Sequence, residues 1–372
     1  MGIADKIRDI ELELGRTQVN KATEYHRGLL KAKLARYRLQ LLEESQGSAG
    51  GGKGEGFDVA RSGDARVVLI GFPSVGKSTA LNKLTGSESV AAAYEFTTLT
   101  AVAGKIHHRG SVIQLVDLPG IITGAADGKG RGRQVIAVAR TADMIVMMLD
   151  ATKSEQQRAL LEAELHQMGI RLNKTKPNIA FKVKKAGGIK FNATCKLTML
   201  DERIVYNILH TYKIFNADVL VREDASIDDF LDVVIGNRKY LKCLYVYNKV
   251  DSISLEQVDK LAREPDTVVV SVEMELNLDF LVDQIYENLN LLRIYTKRRG
   301  DLPDFAEPII LRRKGTDIPA TIEQVCASIH KSLVAEFKYA LVWGASTKYS
   351  PQRVGLGHVV ENEDVVQIVK KR

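Results

Sequence analysis

Nine residues constrain this chain more than any others: Gly71 to Thr79, reading GFPSVGKST. They fit the pattern G-x-x-x-x-G-K-[ST] at Gly71, Gly76, Lys77 and Ser78. Glycines let the backbone curl so that several N–H groups converge on phosphate oxygens. In such a loop Lys77 reaches the β- and γ-phosphates and the Ser78 hydroxyl holds Mg²⁺. Phe72, Pro73, Ser74, Val75 and Thr79 complete the cradle. The apolar run Arg66 to Ile70 reads as a buried parallel strand in front of it. Ser78 to Thr85 reads as the helix behind it, whose positive N-terminal end faces the anion. A chain with this stretch is committed to an α/β fold that binds nucleotide at its strand ends.

The partners of a phosphate loop follow in the required order. Thr97 and Thr98 lie about twenty residues after Ser78, where Thr98 can close over the γ-phosphate and join the Mg²⁺ ligands. Val112 to Val116 is the next buried strand, and Asp117-Leu118-Pro119-Gly120 sits at its end. Asp117 is placed to bind Mg²⁺ through water, and the Gly120 N–H to meet the γ-phosphate. Gly120, Gly124, Gly128, Gly130 and Gly132 then follow, with Lys129, Arg131 and Arg133 among them. So many glycines favour no single conformation, which suits a segment ordered by the γ-phosphate.

Tyr245 to Asp251 supplies the base reader, a strand ending in Asn248-Lys249-x-Asp251. A carboxylate at Asp251 accepts two hydrogen bonds from guanine, whereas adenine would leave it unpaired. Lys249 packs over the base or the loop, and Asn248 ties the loop to the phosphate cradle. Val268 to Ser271 is a further strand, and Ser271-Val272-Glu273 lies where a backbone N–H meets the guanine oxygen. Phosphate loop, Asp117, Asn248 to Asp251 and Ser271 each stand at a strand end, which specifies GTP and GDP far better than any one motif.

One interval is too long. A crossover between parallel strands takes about thirty residues or more, yet 93 residues separate Leu149 from Cys243. An inserted module accounts for the surplus. Ile179 to Val183, Gly187-Gly188 and Ile189 to Thr198 read as a hairpin, followed by a helix at Glu202 to Tyr212 and a strand at Asp218 to Val221. Arg171 to Leu200 holds eight basic residues and no acid, with Phe181 and Phe191 interleaved. That pattern fits either a nucleic-acid face or a solvated basic hairpin.

The remaining segments flank this domain. Ile3, Ile7, Ile10 and Leu14 form an apolar stripe at helical spacing. A second helix is expected from about Lys21 to Glu44, and Arg16 to Arg38 carries seven basic residues against one acid. Ser45 to Gly56 is a glycine- and serine-rich linker. From about Arg293 the pattern changes to short strands, Pro308 to Leu311, Ala340 to Trp343 and Asp364 to Val369, around one helix, Ile322 to Phe337. No apolar run approaches the length of a membrane span. Cys195, Cys243 and Cys326 form neither a disulfide framework nor a metal site. A cytoplasmic protein with no membrane partner is the expectation.

The strings GFPSVGKST, YEFTTLT, DLPGIITGAADGKGRGRQVIAVARTAD and YNKVD carry a resemblance that spans essentially the whole chain. So do the opening MGIADKI with NKATEYHRGLLKAKLA, and the tail KYALVWGASTKYSPQRVGLGH. The chain resembles the developmentally regulated GTP-binding proteins, within the Obg-like group, and is similar to the second of their two eukaryotic branches. The resemblance implies a helix-turn-helix-like arm at 1–45, a linker at 46–60 and a P-loop GTPase domain at 61–292. It implies a ribosomal-protein-like β-α module inserted at 171–240 and a ubiquitin-like TGS domain at 293–372. It also implies a ribosome-associated role and a heterodimer with the family's regulatory partner, which carries an RWD domain.

Two positions depart from related GTPases. In much of the wider group the fourth loop position is an asparagine that helps hold a monovalent cation; here it is Ser74, whose hydroxyl can also ligate K⁺. After Gly120 comes Ile121, where small signalling GTPases carry a glutamine that orients water. Isoleucine cannot hydrogen-bond a water. The expectation is a slow Mg²⁺-dependent GTPase acting on ribosomes, or else a GTP-gated RNA-binding scaffold for which hydrolysis is incidental.

Overall fold

The computed structural model describes residues 3–18, 20, 23–47, 62–86, 90–91, 102–118, 139–153, 156–313 and 319–371. Contact density divides the chain into two units. One holds residues 1–57, 123–136 and 162–241; the other holds 58–122, 137–161 and 242–372.

The first unit opens with α1 (Ile3–Arg16) and α2 (Glu24–Gly47). Ile7 and Ile10 of the expected stripe are buried. In the second unit β1 (Ala65–Ile70) is buried along its whole length and leads into α3 (Lys77–Thr85). The short β2 (Val90–Ala91), β3 (Val102–His108), β4 (Ser111–Asp117) and β5 (Met144–Asp150) follow. After α4 (Gln156–Gln167) come β6 (Ile170–Leu172), β7 (Ile179–Val183), β8 (Ile189–Ala193), α5 (Glu202–Thr211), β9 (Ala217–Val221) and α6 (Ile227–Ile235). β10 (Lys239–Asn248), α7 (Leu255–Ala262), β11 (Thr267–Val269) and α8 (Leu278–Asn288) finish the nucleotide-type domain.

The main sheet runs β11-β10-β5-β1-β4-β3-β2. Its strands are parallel from β11 to β4, whereas β3 and β2 add antiparallel at one edge. A sheet covered on both faces needs apolar strands throughout, and β1 and β5 meet that demand.

The inserted module corrects the hairpin expectation. β7 and β8 do not pair with each other; β9 lies between them, antiparallel to β7 and parallel to β8. The sheet needs a central strand buried on its inner face. Ala217, Val219 and Val221 supply it, packed with Val205, Ile208 and Leu209 of α5. Those three recur at i, i+3 and i+4, the spacing of one helical face. A capping box at Ser226 and Asp229 starts α6, and Gly236 in the left-handed region ends it. The module packs against α2: Lys31 Nζ bonds Asp228 at 2.6 Å and Arg36 Nη1 donates to the Thr211 carbonyl at 2.8 Å.

Among the described residues the C-terminal domain has five strands: β12 (Leu291–Thr296), β13 (Asp304–Arg312), β14 (Phe337–Trp343), β15 (Gln352–Val354) and β16 (Val365–Lys370). Their order is β13-β12-β16-β14-β15. The single helix expected over Ile322 to Phe337 is two, α9 (Ile322–Ile329) and α10 (Ser332–Glu336). His330 between them is extended, and its ring accepts the Ser332 N–H at 3.2 Å. Such local side-chain bonding competes with the helical ladder. No helix among the described residues is long and apolar enough to cross a membrane.

Candidate functional site

The site forms where parallel strands of the second unit end. β1 runs into the GFPSVGKST loop, β4 ends on Asp117, β5 on Asp150 and β10 on Asn248. Ligand crevices of open α/β sheets lie at this end.

The phosphate loop turns on two left-handed residues, Ser74 at φ 64° and Gly76 at φ 95°. A Cβ on Gly76 would collide with the Asn248 amide nitrogen, and one on Gly71 with the Met148 carbonyl. Val75 is buried in the core while Pro73, Ser74, Ser78 and Thr79 stay exposed. Phe72 packs on the edge of that core. The Lys77 ammonium donates to the carbonyls of Gly71 at 3.0 Å and Phe72 at 2.9 Å. Burial lowers its pKa, and the nearby Asp117 charge partly offsets this.

The Ser78 hydroxyl donates to Asp117 Oδ2 at 2.6 Å. Asp117 Oδ1 is buried and has no hydrogen-bond partner among the described residues. A hydroxyl beside a carboxylate with an unsatisfied oxygen is a donor set suited to a hard cation such as Mg²⁺. Leu118 is buried, and its N–H donates to the Leu69 carbonyl at 3.3 Å. Thr98, Pro119 and Gly120, with Thr97, Ile121 and the glycine run after it, lie outside the described residues.

Asn248 joins three segments. Its Nδ2 donates to the Val75 carbonyl at 2.9 Å, and its Oδ1 accepts the Val272 N–H at 2.9 Å. Lys249 takes a left-handed conformation at φ 67°, and its ammonium meets Asp150 Oδ2 at 2.7 Å. Burial tends to raise the Asp150 pKa, but bonds from Lys249 and Thr152 carry it below the usual carboxylate range. Asp251 is exposed and aimed by Ser271, whose hydroxyl donates to Asp251 Oδ1 at 2.6 Å. That bond, first among its causes, holds the Asp251 carboxyl below its ordinary pKa. The Glu273 carbonyl accepts Lys83 Nζ at 2.8 Å.

Asp150 belongs to none of the sequence motifs named above. Its signal is a lone carboxylate closing an apolar strand at the level of Asn248. At Ser271 the sequence points to the backbone, whereas the side chain also takes part, through its bond to Asp251.

The basic stretch of the insert is smaller than its composition suggests. Arg171 is buried, bonding Asp232 through Nε at 2.6 Å and Nη2 at 2.7 Å. Lys184 is paired with Asp218. Phe181 and Phe191 pack against the module's core, so they do not interleave with the lysines. Lys174, Lys176, Lys182, Lys185, Lys190 and Lys196 are exposed.

Residues 66–183 match a family described as 50S ribosome-binding GTPase, and 186–291 match the C-terminal region of that domain. Residues 292–370 match the TGS domain. The chain is 66% identical over 371 residues to Developmentally-regulated GTP-binding protein 2 of Homo sapiens, covering all of both chains. It is 60% identical, again over all of both chains, to the Dictyostelium discoideum homolog of that protein and to GTP-binding protein 1 of Schizosaccharomyces pombe.

Proposed function

The chain belongs to the developmentally-regulated GTP-binding protein family, and from that premise we propose that it binds Mg²⁺-GTP, hydrolyses it slowly to GDP and phosphate, and acts as a ribosome-associated switch in the cytoplasm. The observation that carries the nucleotide site is the Asn248 amide, bonded at 2.9 Å to both Val75 and Val272. It locks the phosphate loop, the base loop and the Ser271 segment into one frame.

Each residue then has a task. The loop N–H groups from Phe72 to Thr79 receive phosphate oxygens, and Lys77 leaves its carbonyl partners to neutralise charge on the β- and γ-phosphates. Ser78 and Asp117 would hold Mg²⁺, joined by Thr98. A bound Mg²⁺ supplies charge neutralisation across the same phosphates. Asp251, kept ionised by Ser271, accepts the guanine N1–H and amino group. Thr98 and Gly120 respond to the γ-phosphate.

Ile121 offers no group to orient the attacking water. Isolated turnover is therefore well below about 1 s⁻¹, under the usual enzyme median. Fixing the segment after Gly120 costs roughly 1–2 kcal/mol per residue, so a ribosome or an RWD-domain partner that ordered it would raise the rate. Ile121 equally favours a second reading, an RNA-binding scaffold gated by GTP. Ser74 is the candidate contact for K⁺.

Phosphate release from the purified protein, in potassium and sodium salts, alone and with ribosomes, tests both. Slow release stimulated by ribosomes supports the switch. Release unaltered by ribosomes, with GTP-dependent co-sedimentation, supports the scaffold.

A further inference from the structure

Lys249 stands beside two carboxylates, and which of them it pairs with bears on how the base is read. It heads the single 3₁₀ turn Val250–Ser252, which carries Asp251. Its backbone is left-handed at φ 67°, a conformation a lysine adopts at a cost. The ammonium meets Asp150 on the neighbouring strand at 2.7 Å, 99 residues away in sequence. Asp251 is two residues on, and its oxygens meet the hydroxyls of Ser271 at 2.6 Å and Ser252 at 3.1 Å.

The two carboxylates differ in burial. The Asp150 side chain is 3% exposed, whereas Asp251 lies in solvent. Attraction between charges is stronger where water is excluded, and a buried carboxylate stripped of its cation is costly. Asp150 is therefore the better partner for the ammonium. It is also fixed in place. Its Oδ1 accepts the Thr152 N–H at 3.0 Å and the Thr152 hydroxyl at 2.6 Å, which leaves Oδ2 for Lys249.

The strand end is held without this ion pair. Asp150 and Asn248 are register neighbours, and the Ala151 N–H donates to the Asn248 carbonyl at 2.9 Å. A pair whose lysine is 41% exposed adds little stability of its own. Its consequence lies at Asp251. An ammonium on that carboxylate would compete with the guanine N1–H and amino group for the same oxygens. We propose, on the guanine-nucleotide reading above, that Asp150 is a positioning residue for base recognition. It holds the Lys249 ammonium at the end of β5 and so keeps the Asp251 carboxylate open to guanine.

Asp150→Asn keeps the shape of the side chain and an oxygen for Thr152, and removes the charge that holds Lys249. The full chain is titrated with fluorescent GDP, and inosine diphosphate, which lacks the 2-amino group, is measured in competition. GDP binding should weaken about tenfold, the worth of one hydrogen bond to a charged group. Inosine diphosphate should lose less, so the preference for GDP shrinks. In a Lys249→Met background, itself weaker in binding, Asp150→Asn should have no further effect. Thr152→Val removes the 2.6 Å bond at an exposed position and should weaken GDP binding about threefold, again in the Lys249 chain alone. If urea titration shows that Asp150→Asn has lost its fold, Thr152→Val decides alone. An unchanged ratio of the two nucleotides, or the same loss in the Lys249→Met background, would make Asp150 merely structural and overturn the proposal. So would wild-type binding by both variants. A wild-type chain that bound neither nucleotide would overturn the nucleotide reading itself, and this role with it.

Discussion

The Asn248 side-chain amide donates to the Val75 carbonyl at 2.9 Å across 173 residues of sequence. Its oxygen accepts the Val272 N–H, and the side chain is only 4% exposed. Asn248→Ala strands two backbone groups, each costing about 1–3 kcal/mol when buried without a partner. GDP affinity should fall at least tenfold and the denaturation midpoint should drop. Fluorescent-nucleotide titration and urea unfolding read both, and wild-type values in each would refute the clamp.

Asp251→Asn exchanges an acceptor for a group that can donate. The variant should prefer xanthosine over guanosine nucleotides in competition binding. Ser271→Ala removes the bond that holds the Asp251 carboxyl below its ordinary range. The carboxyl then protonates at higher pH, so guanine affinity should fall more between pH 7 and pH ~5 in this variant than in the wild type. Parallel pH profiles would contradict the role given to Ser271.

Lys182, Lys185 and Lys190 are the exposed cations of the insert to test, since Lys184 is already paired with Asp218. Their combined reversal to glutamate should weaken ribosome or RNA binding and flatten its salt dependence, because fewer counterions are released. GTP affinity should stay unchanged. Equal co-sedimentation at every salt concentration would identify a merely solvated face.

Asp232 sits 3% exposed between Arg171 and Arg238, bonding the latter at 3.1 Å. Removing one member of a buried ion network costs about 3–5 kcal/mol, because the remaining charges stay buried. Asp232→Ala should destabilise the unit holding residues 162–241, read as loss of protection in hydrogen exchange there. Protection unchanged from wild type would show that water already compensates these arginines.

Much was legible because local chemistry suffices for it. A glycine-framed loop between an apolar strand and a helix is suited to an anion such as phosphate, so Gly71 to Ser78 stood out as the candidate cradle. Asn248-Lys249-x-Asp251 did so because a carboxylate at that spacing is an acceptor pair that guanine can match and adenine cannot. The surplus of residues before Cys243 required an insert whatever its form. Pairing partners and facing were different, since they depend on which strand fills the middle of a sheet and which face meets a helix. A glycine pair between two strand-like runs suggests a hairpin, yet β9 separates β7 and β8 because its Ala217, Val219 and Val221 complete the core over α5. The same choice turns Phe181 and Phe191 inward and leaves the lysines outside. Arg171 counted as a free cation in sequence, and only folding brought it to Asp232, 61 residues away. Composition and spacing thus determined the nucleotide chemistry, which is local. Tertiary structure alone decided which charges and rings face the solvent, because burial is a property of the packed sheet and not of the residue.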